Sequence, residues 1–123
     1  MTSEGSKSRI KWEGGSNQEI RQWPKDVRKN IGADLQRLDD REEPLDSRPM
    51  GKSLPGVSEL RDEDKDSWYR LLYWPRSGWI YVLHCFKKKT NQTSKADIDL
   101  ARERMKRVRL RNDAPAGKED ESA

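Results

Sequence analysis

The sequence predicts a small α+β domain, and three observations support that fold class. Segments 57–61, 68–74 and 79–87 have strand character and are separated only by short polar or Pro/Gly connections, which is typical of an antiparallel meander. Apolar residues recur at helical spacing on either side of the meander, after Pro24 and after Ser94. The 123 residues have the length of one domain, and only 31% are hydrophobic, so the core must be small.

The part of the chain before the meander divides into four segments. Residues 1–7 are polar and predicted to be disordered, and 8–13 alternate in polarity, which predicts a short strand ended by Gly14 and Gly15. A helix is predicted from Pro24. Its apolar stripe is formed by Val27, Ile31, Leu35 and Leu38. Segment 44–55 contains three prolines and is predicted to be a loop.

The meander strands alternate in polarity, so each strand has two predicted faces. In 68–74 one face carries Trp68, Arg70, Leu72 and Trp74, and the other carries Tyr69, Leu71 and Tyr73. In 79–87 one face carries Ile80, Val82, His84 and Phe86, and the other carries Trp79, Tyr81, Leu83, Cys85 and Lys87. Turns are predicted at 62–66 and 75–78.

A second helix is predicted to begin at Ser94, which is a favourable N-cap with Asp97 three residues later. Its apolar stripe consists of Ile98, Ala101, Met105 and Val108, and its remaining faces are strongly basic. Residues 112–123 are predicted to be a disordered acidic tail, which leaves 8–111 as the single folded domain.

Several classes of site are excluded by the residue content. With one cysteine and one histidine, the chain holds no internal disulfide framework and no Cys/His zinc site, so no metal and no cofactor is predicted. There is no glycine-rich phosphate loop, paired-carboxylate pattern or nucleophilic triad. The absence of a signal-peptide-like or membrane-spanning apolar run predicts a soluble cytoplasmic protein without a membrane partner.

Positive charge and aromatic residues coincide in one part of the chain. Residues 67–111 contain 12 Lys and Arg against 3 Asp and Glu, together with seven of the nine aromatic residues. Aromatic rings stack on bases and cations neutralise phosphates, so this combination is typical of an RNA-binding surface. If Arg61, Arg70 and the run 87–89 converge, they form one basic groove.

Three candidates for chemistry each have two interpretations. Arg70, between apolar neighbours, is either a phosphate-binding fork or an ion-paired structural residue. His84 is either a general acid or base, or a packed core residue with one hydrogen bond. The cluster Lys87, Lys88 and Lys89 is either an RNA contact or a solvated strand end. Cys85 is interpreted as a buried small residue.

Five strings in this order resemble the RelE/ParE superfamily of bacterial toxins, and more closely its HigB-like, phage-derived branch. The strings are WPKDVRKNIGADL (23–35), VSELRD (57–62), WYRLLY (68–73), IYVLHCFKKKT (80–90) and DIDLARERMKR (97–107). The resemblance covers about residues 20–110 and implies a RelE-like fold, in which an antiparallel sheet of four to five strands has helices packed against it.

The resemblance also implies an activity, namely metal-independent endoribonuclease cleavage of mRNA on the ribosome, which inhibits translation. By position, Arg61 and Arg70 match the sheet-borne arginines of the family, and Lys87 and Lys88 match its basic strand end. Some relatives use a tyrosine near the C-terminal helix as acid or base, and residues 88–111 contain none, so either His84 or a lysine takes that role or the activity is weak or absent. The expected catalytic residues are Arg70, Lys87, Lys88 and His84, and the expected RNA-binding residues are Arg61, Arg70, Lys87, Lys88 and Lys89.

The partners expected from the resemblance are mRNA on the ribosome and a cognate antitoxin, a helix-turn-helix protein of the HigA-like type that alone contacts operator DNA. Two alternative functions share the fold. One is a non-catalytic RNA-binding or ribosome-binding module, and the other is a gyrase inhibitor of the ParE type.

Overall fold

The computed structural model describes residues 8–117 and has an α+β architecture. In chain order the elements are β1 (Ile10–Trp12), α1 (Ser16–Arg21), α2 (Lys25–Asp39), β2 (Ser47–Pro49), β3 (Ser58–Glu63), β4 (Trp68–Arg76), β5 (Trp79–Lys88) and α3 (Lys95–Arg111). A short 3-10 turn, Gly51–Ser53, precedes β3. The predicted disordered residues 1–7, and 118–123 of the predicted tail, lie outside the described residues.

The five strands form one sheet in the order β1-β5-β4-β3-β2. The meander β3-β4-β5 is antiparallel as predicted, and β2 adds an antiparallel edge strand. The prediction of a wholly antiparallel sheet is wrong, because β1 pairs parallel with β5, with Ile10 opposite Ile80. After β1 the chain passes through α1 and α2 and enters the sheet again at the opposite edge, in β2. Three antiparallel pairings then place β5 beside β1 in the same direction.

Helices cover both faces of the sheet. The core on one face, here called the α2 face, joins α1 and α2 to the sheet through Ile20, Trp23, Val27, Ile31, Leu35, Leu60, Tyr69, Leu71, Tyr73, Ile80, Val82 and Cys85. The core on the other face, the α3 face, contains Leu54, Val57, Leu72, Trp74, Tyr81, Leu83, Phe86, Ala101, Met105 and Val108. The apolar stripes predicted for the two long helices are therefore the surfaces that pack on the sheet.

A β-bulge in β5 changes which residues share a face. Tyr73 pairs with Val82 but Leu72 pairs with His84, so Leu83 has no opposite residue in β4. The extra residue reverses the alternation after Leu83. The faces predicted for β4 are confirmed. The prediction for β5 is wrong beyond the bulge, because Phe86 packs on the α3 face and Cys85 on the α2 face.

Local chemistry explains several element ends. Ser94 caps α3 as predicted, with its side-chain oxygen accepting a hydrogen bond from the Asp97 backbone N–H at 3.1 Å. The β4–β5 hairpin turns through Ser77 and Gly78, both at positive φ (55° and 83°), as a tight two-residue turn requires. The turn was predicted at 75–78, but β4 continues to Arg76 and only two residues lie between it and β5.

Two elements were not predicted. Helix α1 has only six residues, and strand β2 lies inside the segment predicted to be a loop. Residues 112–117, assigned by the sequence to the acidic tail, pack on the hairpin, where Ala116 N–H donates to the Ser77 carbonyl at 2.8 Å. No helix within residues 8–117 is long and apolar enough to cross a membrane.

Candidate functional site

The two predicted site arginines flank one buried carboxylate on the α3 face. Arg61 and Arg70 are directly opposite each other on β3 and β4. Nε of Arg70 lies 3.1 Å from Oε1 of Glu59, and Nε of Arg61 lies 3.6 Å from the same oxygen. Because two cations at opposite positions of a sheet repel each other, the Glu59 carboxylate stabilises their juxtaposition.

Every nitrogen of the Arg70 guanidinium has a partner in the protein. Besides the Glu59 contact of Nε, Nη1 donates to the Tyr69 carbonyl at 3.0 Å and Nη2 donates to Oδ1 of Asn91. Arg70 is 2% exposed, and burial lowers the pKa of its guanidinium against the opposing effect of Glu59. The structure thus shows the ion-paired state of Arg70, and its role in phosphate binding stays a prediction.

The other pair of predicted residues converges on a second carboxylate, that of Asp97 in the first turn of α3. Nε2 of His84 lies 2.8 Å from Oδ1 of Asp97, and Nζ of Lys88 lies 3.8 Å from Oδ2. The hydroxyl of Ser94 donates to the same Oδ2 at 2.8 Å. One carboxylate therefore fixes a histidine, a lysine and the beginning of a helix.

The Asp97 contact sets the tautomer of His84. An ionised carboxylate can only accept hydrogen bonds, so Nε2 of His84 is the donor, and in the neutral ring Nδ1 carries the lone pair. Burial lowers the pKa of His84, and this effect outweighs the Asp97 carboxylate, which raises it. The ring is consequently neutral at pH 7 and able to accept a proton.

Phe86 joins the two clusters. Its ring stacks on His84 with centroids 4.8 Å apart, Nζ of Lys88 lies 5.6 Å from its centroid, and it is the cross-strand partner of Arg70. The two clusters thus lie side by side on the α3 face. We call the four residues Arg61, Arg70, His84 and Lys88 the candidate site.

The other two lysines of the predicted cluster lie elsewhere. Lys87 is exposed and is paired with Tyr69, whose ring packs on the α2 face, so Lys87 lies on the opposite side of the sheet from Lys88. Nζ of Lys89 donates to the Asp66 carbonyl at 3.0 Å and lies at the β3–β4 turn. Roles for Lys87 and Lys89 in catalysis or RNA binding stay predictions.

Three residues that hold the candidate site in place were not recognised in that role from the sequence, namely Glu59, Asn91 and Asp97. The Ser94–Asp97 capping pattern placed Asp97 at the start of α3, but only the bulge brings His84 to it. Glu59 is 7% exposed, but β3 has the sequence SELRDE with three acidic residues, so no signal in the sequence distinguishes Glu59 from Asp62 or Glu63. Asn91 lies between elements, in a segment without periodicity.

Comparison with known families finds one whose sequence model covers most of the chain. The sequence model of the family described as phage-derived protein Gp49-like (DUF891) matches residues 18–106, which is most of the chain. The chain belongs to this family. The match spans α2, the meander and most of α3, so the whole candidate site lies in the Gp49-like region. The predicted phage-derived family is thereby confirmed, whereas the RelE/ParE superfamily and its HigB-like branch stay predictions. No curated protein matches the chain significantly.

Proposed function

We propose that this Gp49-like chain is the toxin of a type II toxin–antitoxin pair and acts as an endoribonuclease on mRNA at the ribosome. The observation that carries the proposal is the convergence of Arg61, Arg70, His84 and Lys88 on one face of the sheet. This set combines one group able to transfer a proton with three cations. RNA cleavage through the 2′-OH needs these two kinds of group.

In the proposed reaction the 2′-oxygen of a ribose attacks the adjacent phosphorus. Neutral His84 accepts the 2′-OH proton at Nδ1, while Nε2 remains bonded to Asp97. The bond from phosphorus to the 5′-oxygen breaks, that oxygen takes a proton from a solvent water molecule, and the imidazolium of His84 gives its proton to the hydroxide that results. The products are a 2′,3′-cyclic phosphate and a free 5′-OH.

The cations of the site stabilise the additional negative charge on the phosphoryl oxygens in the transition state. Lys88 lies beside His84 on the shared carboxylate and is 13% exposed, so it is the cation best placed next to the proton acceptor. Arg61, at 18% exposure, is also more accessible than Arg70. Arg70 reaches a phosphate only if Asn91 gives up its hydrogen bond.

The full engagement of Arg70 favours one alternative, a non-catalytic RNA-binding module of the same fold. An arginine held by Glu59, Tyr69 and Asn91 stabilises the sheet without contacting RNA. In that case Arg61 and Lys88 still attract the RNA backbone, and the chain inhibits translation by occupancy alone.

The proposed partner is a helix-turn-helix antitoxin of the HigA-like type, and operator DNA is contacted through that antitoxin only. The helix-turn-helix class follows from the resemblance, and the positive charge concentrated in residues 67–111 supports only that an acidic antitoxin segment binds there and shields the candidate site. The predicted cytoplasmic location follows from the same proposal.

Inducible expression in a bacterial host, with growth curves and mapping of mRNA 5′ ends, tests the function. We expect growth arrest and new mRNA ends with the native chain, and loss of both in His84→Gln and Lys88→Gln. Lys29→Gln on the exposed side of α2 is the charge control for Lys88→Gln. Growth arrest without new mRNA ends would reject the nuclease in favour of the binding module. Cleavage that persists in His84→Gln and Lys88→Gln would reject the proposed site.

A further inference from the structure

A second cationic arrangement lies on the α3 face, away from the candidate site. The guanidinium of Arg76, at the end of β4, lies 4.9 Å from the ring centroid of Trp74, and that of Arg109 in α3 lies 5.2 Å from the same ring. Trp74 is itself buried against α3. One fixed indole therefore holds two arginines from different elements within about 10 Å of each other.

These two arginines lack acidic partners. Both are exposed, and neither forms an ion pair with any residue in the range 8–117. The arginines on the other side of α3 differ, because Arg107 lies 3.8 Å from Glu103 and Arg111 lies 3.0 Å from Glu13. At a separation of up to about 10 Å in water the two guanidinium groups repel each other only weakly, and a bound anion attracts both.

The position of this pair relates it to the candidate site. Twelve residues of α3 separate Asp97 from Arg109, about 18 Å along the helix axis. Six residues of β4 separate Arg70 from Arg76, about 20 Å along the strand. Arg102, seven residues before Arg109 on the same side of α3, pairs with Asp99 at 3.1 Å and donates to the Ser53 carbonyl at 2.7 Å. Arg76 and Arg109 thus lie at the far end of the α3 face from the candidate site.

We propose that Arg76 and Arg109 form a phosphate clamp that binds the backbone of an RNA strand outside the candidate site. The inference rests on the proposed function for the identity of the polyanion. Guanidinium groups fit phosphate oxygens through paired N–H donors, and stacking on Trp74 holds both groups in place before binding. Because the clamp and the candidate site share one face about 20 Å apart, one extended strand of a few nucleotides reaches both.

Binding of a single-stranded RNA that cannot be cleaved, with 2′-O-methyl groups throughout, tests the clamp. The dissociation constant is measured by fluorescence anisotropy from 50 to 300 mM salt for the full chain and for Arg76→Gln/Arg109→Gln. We expect the double variant to bind roughly tenfold more weakly at low salt. We also expect the slope of log K against log salt to become shallower by about 1.4, since each phosphate contact on a single strand contributes about 0.7.

The matched control is Arg28→Gln/Lys29→Gln, which removes the same charge from the exposed side of α2. Equal affinity and slope in the two double variants would overturn the clamp. An Arg76→Gln/Arg109→Gln variant that keeps RNA binding but loses an acidic antitoxin would also overturn it, because the surface would then serve a protein. The assay needs no cleavage, so the clamp is tested even if the ribonuclease proposal fails, and the growth and cleavage assays test that proposal without these variants.

Discussion

Arg104 of α3 donates a hydrogen bond of 2.7 Å from Nη1 to the backbone carbonyl of Leu83 in β5. Leu83 is the bulge residue without an opposite residue in β4, and the residue after it is His84. The helix therefore supports the irregularity that turns His84 towards Asp97. The candidate site depends on this contact, and after burial the charge of Arg104 is a second cause that lowers the pKa of His84.

Replacing Arg104 by Gln is expected to lower the free energy of unfolding by about 2 kcal/mol, because the Leu83 carbonyl loses a charged donor. Urea unfolding followed by tryptophan fluorescence measures the change. Arg107→Gln is the control, since Arg107 is exposed on the same helix and, among residues 8–117, forms an ion pair with Glu103 alone. Equal loss of stability in the two variants would show that Arg104 acts through net charge alone.

Two glycine substitutions are expected to change the free energy of unfolding in opposite directions. A Cβ at Gly14, where φ is +57°, would lie 2.4 Å from Cζ of Arg104, so Gly14→Ala strains the backbone and displaces that side chain. Gly32 lies inside α2 with open space around a Cβ, so Gly32→Ala is expected to stabilise the protein by about 1 kcal/mol. Thermal unfolding of both variants is the measurement. A stabilising Gly14→Ala would contradict the close approach to Arg104.

Arg70→Met is expected to cost about 3 kcal/mol, because the Glu59 carboxylate remains buried without its closest cation. Arg70→Met/Glu59→Gln removes both charges and is expected to recover part of that loss. A double-mutant cycle by urea denaturation measures the coupling. If the paired substitution is as unstable as the sum of its single variants, Arg70 and Glu59 do not act as a pair.

Comparing Asp97→Asn with Ser94→Ala distinguishes the orientation of His84 by Asp97 from the capping of α3 by Ser94. We expect RNA cleavage to fall about 100-fold, because the acceptor that orients His84 loses its charge. Ser94→Ala removes the helix cap and is expected to cost about 1 kcal/mol of stability while the cleavage rate is kept. Single-turnover cleavage of an RNA oligonucleotide measures the rate in both variants, and urea unfolding measures the stability of Ser94→Ala. Equal losses of activity in the two variants would assign Asp97 a purely structural role.

Stability is expected to fall as the pH is lowered from 7.5 to 5.5. Because the pKa of His84 is lowered in the folded state, the unfolded chain binds a proton first once the pH passes below about 6.5. His84→Gln removes this contribution and is expected to flatten the profile of melting temperature against pH. A profile identical to that of the native chain would show that other groups cause the pH dependence in this range.

The sequence predicts those parts of the fold that depend on local periodicity. The stripe from Val27 to Leu35, the alternation of β4 and the Ser94 cap are all confirmed, because each follows from spacing along one element. The strand predicted at 8–13 is also found, as β1 at Ile10–Trp12. The sheet has five strands, within the four to five that the resemblance implies.

The errors arise where distant parts of the chain decide the outcome. The bulge at Leu83 has no glycine to indicate it, so the faces of β5 could not be assigned beyond that residue. Helix α1 contributes mainly Ile20 to the core, too few apolar residues for a periodic signal. Strand β2 ends in Pro49, which is compatible with a strand only because β2 is an edge.

The parallel pairing of β1 with β5 also has a consequence for biosynthesis. A ribosome makes β1 first, yet Ile10 can pair only after Ile80 has emerged, late in translation. Until then the nascent chain holds an unpaired N-terminal strand, and β5 in turn emerges with one edge open. A chaperone or a partner that binds an open sheet edge therefore has a defined period in which to act, between the emergence of β5 and the docking of β1.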